Sequence, residues 1–317
     1  MGETDLTVLI VTHSRPDRIG RLLESLARLP PGWVHRVVVV DDSPEPADLA
    51  ELHPELELRQ VSSSERLFIS KAKNRGLREV TDPFVYFIDD DNVVDPDTFR
   101  GPVDTMRQDP LVAAVMPAVL YERRPDLVWV YATPFRRDRW AFDLIGRNAP
   151  RDPQKEGRLL PTDALPNASL VRRSFLERVG GLDESLPVNS SADLCQRLQR
   201  AGGRTWAHTG SFIRHDVDPP GVAGYWAQHS TDPDRLDREV TDWFVFHRRL
   251  REGSTAVRAH SLWHAAPFLL ATELAFLIRR DARWASLSAR LSRGVVRGLG
   301  PLPTPVYGLR GTPMVGG

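Results

Sequence analysis

Residues 84–95 read "FVYFIDDDNVVD", an apolar run of strand length that ends in three consecutive aspartates, Asp89, Asp90 and Asp91. Aromatic and β-branched residues followed at once by crowded charge describe a buried strand whose carboxyl end opens at a polar edge. No Lys or Arg adjoins these carboxylates in sequence. Positive charge must therefore arrive from elsewhere, or the acids must lie in open water.

Working outward, the first half alternates two periods. "LTVLIVT" (6–12), "RVVVVDD" (36–42) and "LELRQVS" (56–62) are short and rich in strand-forming residues, and the first two are apolar enough to be covered on both faces. Helical patterns lie between them. Pro16 sits where a first-turn proline belongs, ahead of "DRIGRLLESLARL", and Asp95 precedes Pro96 as a capping acid. "ISKAKNRGLREV" (69–80) follows the third strand. Strand alternating with helix predicts an α/β fold, a mostly parallel sheet flanked by helices. Ligands of such sheets gather at the carboxyl ends of strands. Three strands here end in polar clusters: Thr12-His13-Ser14, Asp41-Asp42-Ser43 and Asp89-Asp90-Asp91.

Composition narrows the class of partner. In 317 residues, Lys+Arg and Asp+Glu balance at 42 each, so no global field points to nucleic acid. One cysteine, Cys195, excludes an internal disulfide and a cysteine-based zinc site and fits a reducing compartment. The N-terminus lacks the pattern of a signal peptide, which gives a cytoplasmic expectation.

The chain divides into three stretches by pattern. Residues 1–120 carry the strand and helix alternation. Residues 121–254 begin with an Arg- and Pro-rich stretch bearing Trp129 and Trp140, read as part of a substrate lid, and regain regularity at "ALPNASLVRRSFLERVGGLDE", "SADLCQRLQRAGG" and "RTWAHTGSFIRHD". Residues 255–317 form a tail. Its apolar run 262–278 contains His264, Pro267 and Glu273, and is short and polar against the roughly 20 apolar residues a membrane span needs. Arg279, Arg280, Arg283, Arg290, Arg293 and Arg297 follow, with Trp284, Leu287, Leu291 and Val295 at helical spacing among them. A basic amphipathic helix fits the inner face of an anionic membrane; it equally fits packing on the main domain or a homodimer contact.

Alternate carboxylates at a strand end suit a hard divalent cation that shares oxygens with a substrate diphosphate, although isolated acidic runs are often only solvated loops. In order, "LTVLIVTHSRPDRIGRLLESL", "VVVVDDS", "SKAKNRGL", "FVYFIDDDN", "PNASLVRRSFLERVGGLDE" and "DLCQRL" resemble a family 2 glycosyltransferase of GT-A (Rossmann-like) fold, over roughly residues 5–216. The resemblance implies a nucleoside-diphosphate sugar donor, Mg²⁺ or Mn²⁺, and transfer to a sugar, lipid-linked or small-molecule acceptor. It implies that Thr12 and Arg15 line the nucleoside pocket and that Asp41, with Asp42 beside it, meets the base. Lys71, Asn74 and Arg75 would help to hold the nucleotide, though Arg75 reads equally as a surface helix residue. Asp89 and Asp90 would lie at the ribose or sugar, with Asn167 at the sugar's border. Asp91 would be the direct metal ligand, joined by Asp89 and by His215, for which His208 is a rival.

One departure from the family pattern concerns the general base. Inverting members carry Glu-Asp ahead of the "DL" helix, whereas this chain reads "NSSADL", with Ser190 and Ser191 in those places. A serine hydroxyl does not take a proton at neutral pH as a carboxylate does. Asp193, Asp183 or Glu184 could serve instead, or configuration could be retained, or the chain could bind a nucleotide sugar without transferring it. A nucleotidyltransferase is a more distant alternative, because "THSRPDRIG" has a single glycine where a Gly-rich loop belongs.

Overall fold

A computed structural model describes residues 5–138, 141–217, 233–250, 270, 278 and 282–309. These fall into two compact units, one within Met1–Asp183, Ser191–Pro220 and Tyr307–Gly317, the other within Glu184–Ser190 and Gly221–Val306.

The first unit is an α/β domain. In chain order it holds β1 (Leu6–Thr12), α1 (Pro16–Ala27), β2 (Arg36–Asp41), α2 (Leu49–Leu52), β3 (Leu58–Ser62), α3 (Phe68–Leu77), β4 (Phe84–Asp89), β5 (Asn92–Val93) and α4 (Pro96–Gln108). It continues with β6 (Val112–Tyr121), β7 (Arg124–Val130), β8 (Phe135–Arg136), β9 (Ala141–Phe142), β10 (Leu159–Pro161), β11 (Ala168–Arg172), α5 (Arg173–Val179), α6 (Ser191–Arg200) and β12 (Arg204–His215). The sheet runs β10-β12-β6-β11-β4-β1-β2-β3. Its first-half strands β3, β2, β1 and β4 are parallel, while β11 enters antiparallel between β4 and β6.

Register explains the polar edge. Thr12 pairs with Asp41 and Val11 with Asp89, so the ends of β2 and β4 stand level on either side of the end of β1. The interior of β1, β2 and β4 is almost wholly buried, as the unbroken apolar runs predict. α3 lies close on this sheet: a Cβ at Gly76 would come within 2.8 Å of Val40 and 2.9 Å of Leu9. At the far side, β12 pairs with β5, setting His215 opposite Asn92. That one antiparallel pairing carries a residue from late in the chain to the aspartate triplet.

The second unit contains the helices Pro233–Leu250 and Ala282–Leu299. Leu236, Leu287 and Leu291 form a small core between them, and Arg297 pairs with Asp237 at 2.6 Å. The apolar stripe Leu287, Leu291 and Val295 is thus buried inside this unit, with Arg293 and Arg297 outside. Asp242, itself buried, accepts hydrogen bonds from the backbone N–H groups of Val188 (2.7 Å) and Asn189 (2.9 Å). The apolar run 262–278, apart from two single positions, lies outside the described residues, as do Trp140, Arg279, Arg280 and Asp281. Among the described residues no helix is long and apolar enough to cross a membrane.

Candidate active site

The turn after β4 answers the charge problem residue by residue. Lys73 of α3 stands 3.4 Å from Asp89 Oδ1. Asp90 is buried; it accepts from Thr12 Oγ1 at 2.8 Å and from Arg15 Nη1 at 3.1 Å. Asp91 divides its two oxygens. Oδ1 faces His215 Nε2 at 3.3 Å, and Oδ2 faces Arg18 at 3.2 Å and Arg15 at 3.6 Å. Arg21 extends this row on α1, pairing with Asp216 at 2.7 Å and with Glu122 at 3.3 Å. Arg15, at the cap of α1, and Arg18 and Arg21 within it are spaced three apart and recur on one side, which is why one helix start reaches Asp90, Asp91, Asp216 and Glu122.

The electrostatics follow from these partners. Burial and the neighbouring Asp91 charge push the Asp90 carboxyl up, with Arg15 and Thr12 opposing. Burial acts the same way on Asp91, yet His215, Arg15 and Arg18 outweigh it and hold that carboxyl below the ordinary range. Burial works against the Arg15 charge, and Asp90 and Asp91 more than restore it.

The end of β2 is built differently. Asp41 Oδ1 accepts from the backbone N–H of Ser43 at 2.9 Å and also from its hydroxyl, and Ser43 Oγ accepts from Ser14 N–H at 2.7 Å. Asp42 Oδ2 accepts from the N–H groups of Leu67 (2.6 Å) and Phe68 (3.2 Å), while Oδ1 meets His13 at 2.8 Å and Arg66 at 3.3 Å. Burial raises the Asp42 carboxyl, and the two N–H groups offset part of that rise. Ser14, after β1, and Phe68, at the start of α3, both hold a positive φ, 52° and 57°, where these bonds are made. Such strain persists only where the surroundings fix it. Beside Asp41 a cleft of about 350 Å³ is lined by Thr12, Ser14, Arg15, Ser43, Glu45 and Leu49, among others.

Other expected residues take varied places. Lys71 is exposed and lies 3.8 Å from Glu65, away from the aspartates. A two-residue step turns a helix by roughly 200°, so Lys73, not singled out in the sequence, is the α3 lysine that reaches the triplet. Asn74 is fully buried: its amide donates to Leu182 O and accepts from Leu182 N, both at 2.9 Å. That gives it a structural task. Arg75 is half-buried. Asn167 holds a positive φ of 64°, accepts from Asp89 N–H through its carbonyl at 2.8 Å, and keeps a buried Nδ2 without a partner. His208 lies at Gly101 rather than at the triplet. His215 also meets Trp129 edge-on at 5.5 Å, and Arg147 stacks on that indole at 4.1 Å.

At the "NSSADL" stretch, Ser191 opens α6 and Asp193 is half-buried. The Asp193 carboxylate is held by Arg197 Nε at 2.7 Å, and Arg197 also donates to Val179 O and Gly181 O. Asp183 is fully buried.

The sequence profile described as glycosyl transferase family 2 matches residues 7–180, more than half of the chain. The chain belongs to that family. A further family relative, the pre-mycofactocin glycosyltransferase of Mycobacterium tuberculosis, is 31% identical over 221 residues, covering 67% of this chain and 43% of that protein. This family member thus spans less than half the length of the curated relatives it matches. Among solved structures, a mannosyltransferase of Pyrobaculum calidifontis in complex with GDP-Man and Mn²⁺ shares the fold with a TM-score of 0.56 at 21% identity, over 95% of this chain and 88% of that one. GalNAc-T7 with UDP, GalNAc and Mn²⁺ does so with a TM-score of 0.55 at 14% identity, over 74% and 51%. The α/β sheet of this family member is therefore of GT-A type.

The donor set can be tested against a divalent ion. Asp91 Oδ1 and His215 Nε2 converge, both on largely buried side chains, and offer one hard oxygen and one imidazole nitrogen. Among the described residues no cluster of three or more His, Cys, Asp or Glu side chains surrounds an ion position. Asp89 stands with Lys73 instead. Asp91 and His215 would supply two protein ligands to an ion held at phosphates, as is usual for Mg²⁺ bound largely by substrate and water.

Proposed function

We propose that this protein transfers a sugar from a nucleoside-diphosphate sugar to an acceptor, with Asp91 and His215 holding Mg²⁺ or Mn²⁺. The observation that carries the reading is the cleft beside Asp41, lying one strand from a triplet ringed by Arg15, Arg18, Lys73 and His215. Nucleoside and diphosphate need these two environments side by side: a recess with polar anchors, then a cluster of charge.

Asp41 has one carboxylate oxygen taken by Ser43, which leaves the other to accept from a base N–H. Thr12 and Arg15 fix Asp90. Lys73 and Arg15 offer donors to phosphate oxygens. Asn167, with its unpartnered Nδ2, is suited to a sugar hydroxyl. When bound, the ion supplies positive charge to the departing diphosphate as a Lewis acid. The acceptor is a sugar, a lipid-linked glycan or a small molecule, and the relative named for pre-mycofactocin gives one acceptor to try first. The protein acts in the cytoplasm, and the exposed Arg293 and Arg297 of its C-terminal helix, whose apolar stripe is buried, are the groups open to an anionic membrane face or a second copy.

A second reading, donor binding with impaired transfer, is favoured by Ser191 and by the Asp193–Arg197 pair at 2.7 Å. The Arg197 guanidinium occupies a carboxylate oxygen that an acceptor hydroxyl would have to reach. Assays with UDP-, GDP- and dTDP-sugars and Mn²⁺ separate the two. Transfer by the unaltered protein supports the first reading. Binding without transfer, with activity gained by about tenfold or more in Ser191→Asp, supports the second. No binding of any nucleotide sugar defeats both.

A further inference from the structure

The row of arginines on α1 is unequal in its commitments. Arg15 is tied to Asp90 at 3.1 Å as well as to Asp91 at 3.6 Å. Arg21 is tied to Asp216 at 2.7 Å and to Glu122 at 3.3 Å. Among the described residues Arg18 has Asp91 at 3.2 Å and a distant Asp216 at 4.0 Å. It is the least anchored guanidinium of the row, and it stands on the carboxylate proposed to hold the ion.

We infer that Arg18 serves two partners in turn: it pairs with Asp91 while the donor is absent and turns to the donor's diphosphate when donor and ion enter. This rests on the reading of Asp91 and His215 as the ion's protein ligands. With Arg18 on Oδ2, part of the Asp91 charge is already neutralised, and a second cation meets repulsion. A diphosphate offers a guanidinium several acceptor oxygens in a geometry suited to paired bonds. Its arrival draws Arg18 off Oδ2, where Arg15 at 3.6 Å is the more distant partner, and so returns charge to the carboxylate that faces His215 through Oδ1. Ion and diphosphate then each strengthen the other's binding, as linkage requires. The long side chain can make the exchange without moving α1, because its guanidinium is the only part that changes partner.

The test is Mn²⁺ binding to the full chain, followed by the paramagnetic signal of free Mn²⁺. It is measured alone, with UDP or GDP, and with UMP or GMP. In the unaltered protein one diphosphate should tighten Mn²⁺ by about tenfold or more, and the matching monophosphate far less. Arg18→Gln should bind Mn²⁺ alone about threefold or more tighter and lose most of the diphosphate's effect. Arg21→Gln, whose partners are Asp216 and Glu122, should leave Mn²⁺ binding unchanged. Weaker or equal Mn²⁺ binding in Arg18→Gln, or a full diphosphate effect in that variant, overturns the inference while the ion site stands. If the unaltered protein takes up no Mn²⁺ in any state, the ion reading itself fails.

Discussion

Asp41 and Asp42 end β2, Asp89 to Asp91 follow β4, and the two ends stand on either side of β1. At the first, backbone N–H donors from Ser43, Leu67 and Phe68 hold one oxygen of each carboxylate, with the Ser43 hydroxyl beside them on Asp41 and His13 and Arg66 on the other oxygen of Asp42. At the second the neutralising groups are side chains brought from separate parts of the chain: Arg15 just before α1, Arg18 of α1, Lys73 of α3 and His215 of β12. A backbone donor cannot leave without breaking the loop that carries it. A guanidinium or ammonium on a flexible stem can change partner. The Asp42 carboxylate is therefore a fixed part of the fold, and the Asp91 carboxylate belongs to an exchangeable set.

The comparison breaks most visibly at Asp42. Asp42→Ala removes the acceptor of the buried Leu67 N–H and one acceptor of the Phe68 N–H, and releases the positive-φ start of α3. A stability loss of about 3 kcal/mol is expected in chemical denaturation, with Asp91→Asn losing much less. Equal losses in the two variants would erase the distinction between fixed and exchangeable charge.

Asp242 sharpens the same point in the other unit. It too is held by two backbone N–H groups, and burial pushes its carboxyl up to about 7 against their opposing effect. A carboxyl raised in the folded state stays protonated there while the unfolded chain ionises. Its stabilising contribution is full below about pH 4, falls as pH rises to about 7, and is then constant. Asp242→Asn keeps an acceptor for both N–H groups and removes this decline. It should be more stable than the unaltered protein at pH 8, on the order of 2 kcal/mol, with the advantage vanishing toward pH 4. A pH-independent difference between the two proteins would contradict the assignment.

A smaller effect separates two lysines. Lys73→Met should weaken nucleoside diphosphate binding about tenfold through loss of a charge-assisted contact, and Lys71→Met should not change it measurably. The reverse order would place α3 in the wrong phase.

These residues also mark what the sequence made legible. The strands, the polar edge and the three aspartates could be read because burial on both faces leaves continuous apolar runs, and charge at their ends interrupts them. The spacing of Arg15, Arg18 and Arg21 was present as a signal and marks one helical face, but without its partners it reads as a solvated surface. The choice between Lys71 and Lys73 was not legible, since it depends on where α3 begins and how it rolls on the sheet. The task of Asp42 lies in backbone donors 25 and 26 residues away, which no side-chain pattern reports. His215 stands out in the sequence beside Arg214 and Asp216, while its meeting with Asp91 depends on the β12–β5 pairing.

The most direct test of the exchangeable triplet is calorimetric titration of UDP, GDP and dTDP into the unaltered protein and into Asp91→Asn, each with and without Mn²⁺. At least one diphosphate should bind the unaltered protein with Mn²⁺ about a hundredfold more tightly than Asp91→Asn, whose binding should no longer respond to the ion. Equal affinities with and without Mn²⁺ in both proteins would contradict the account.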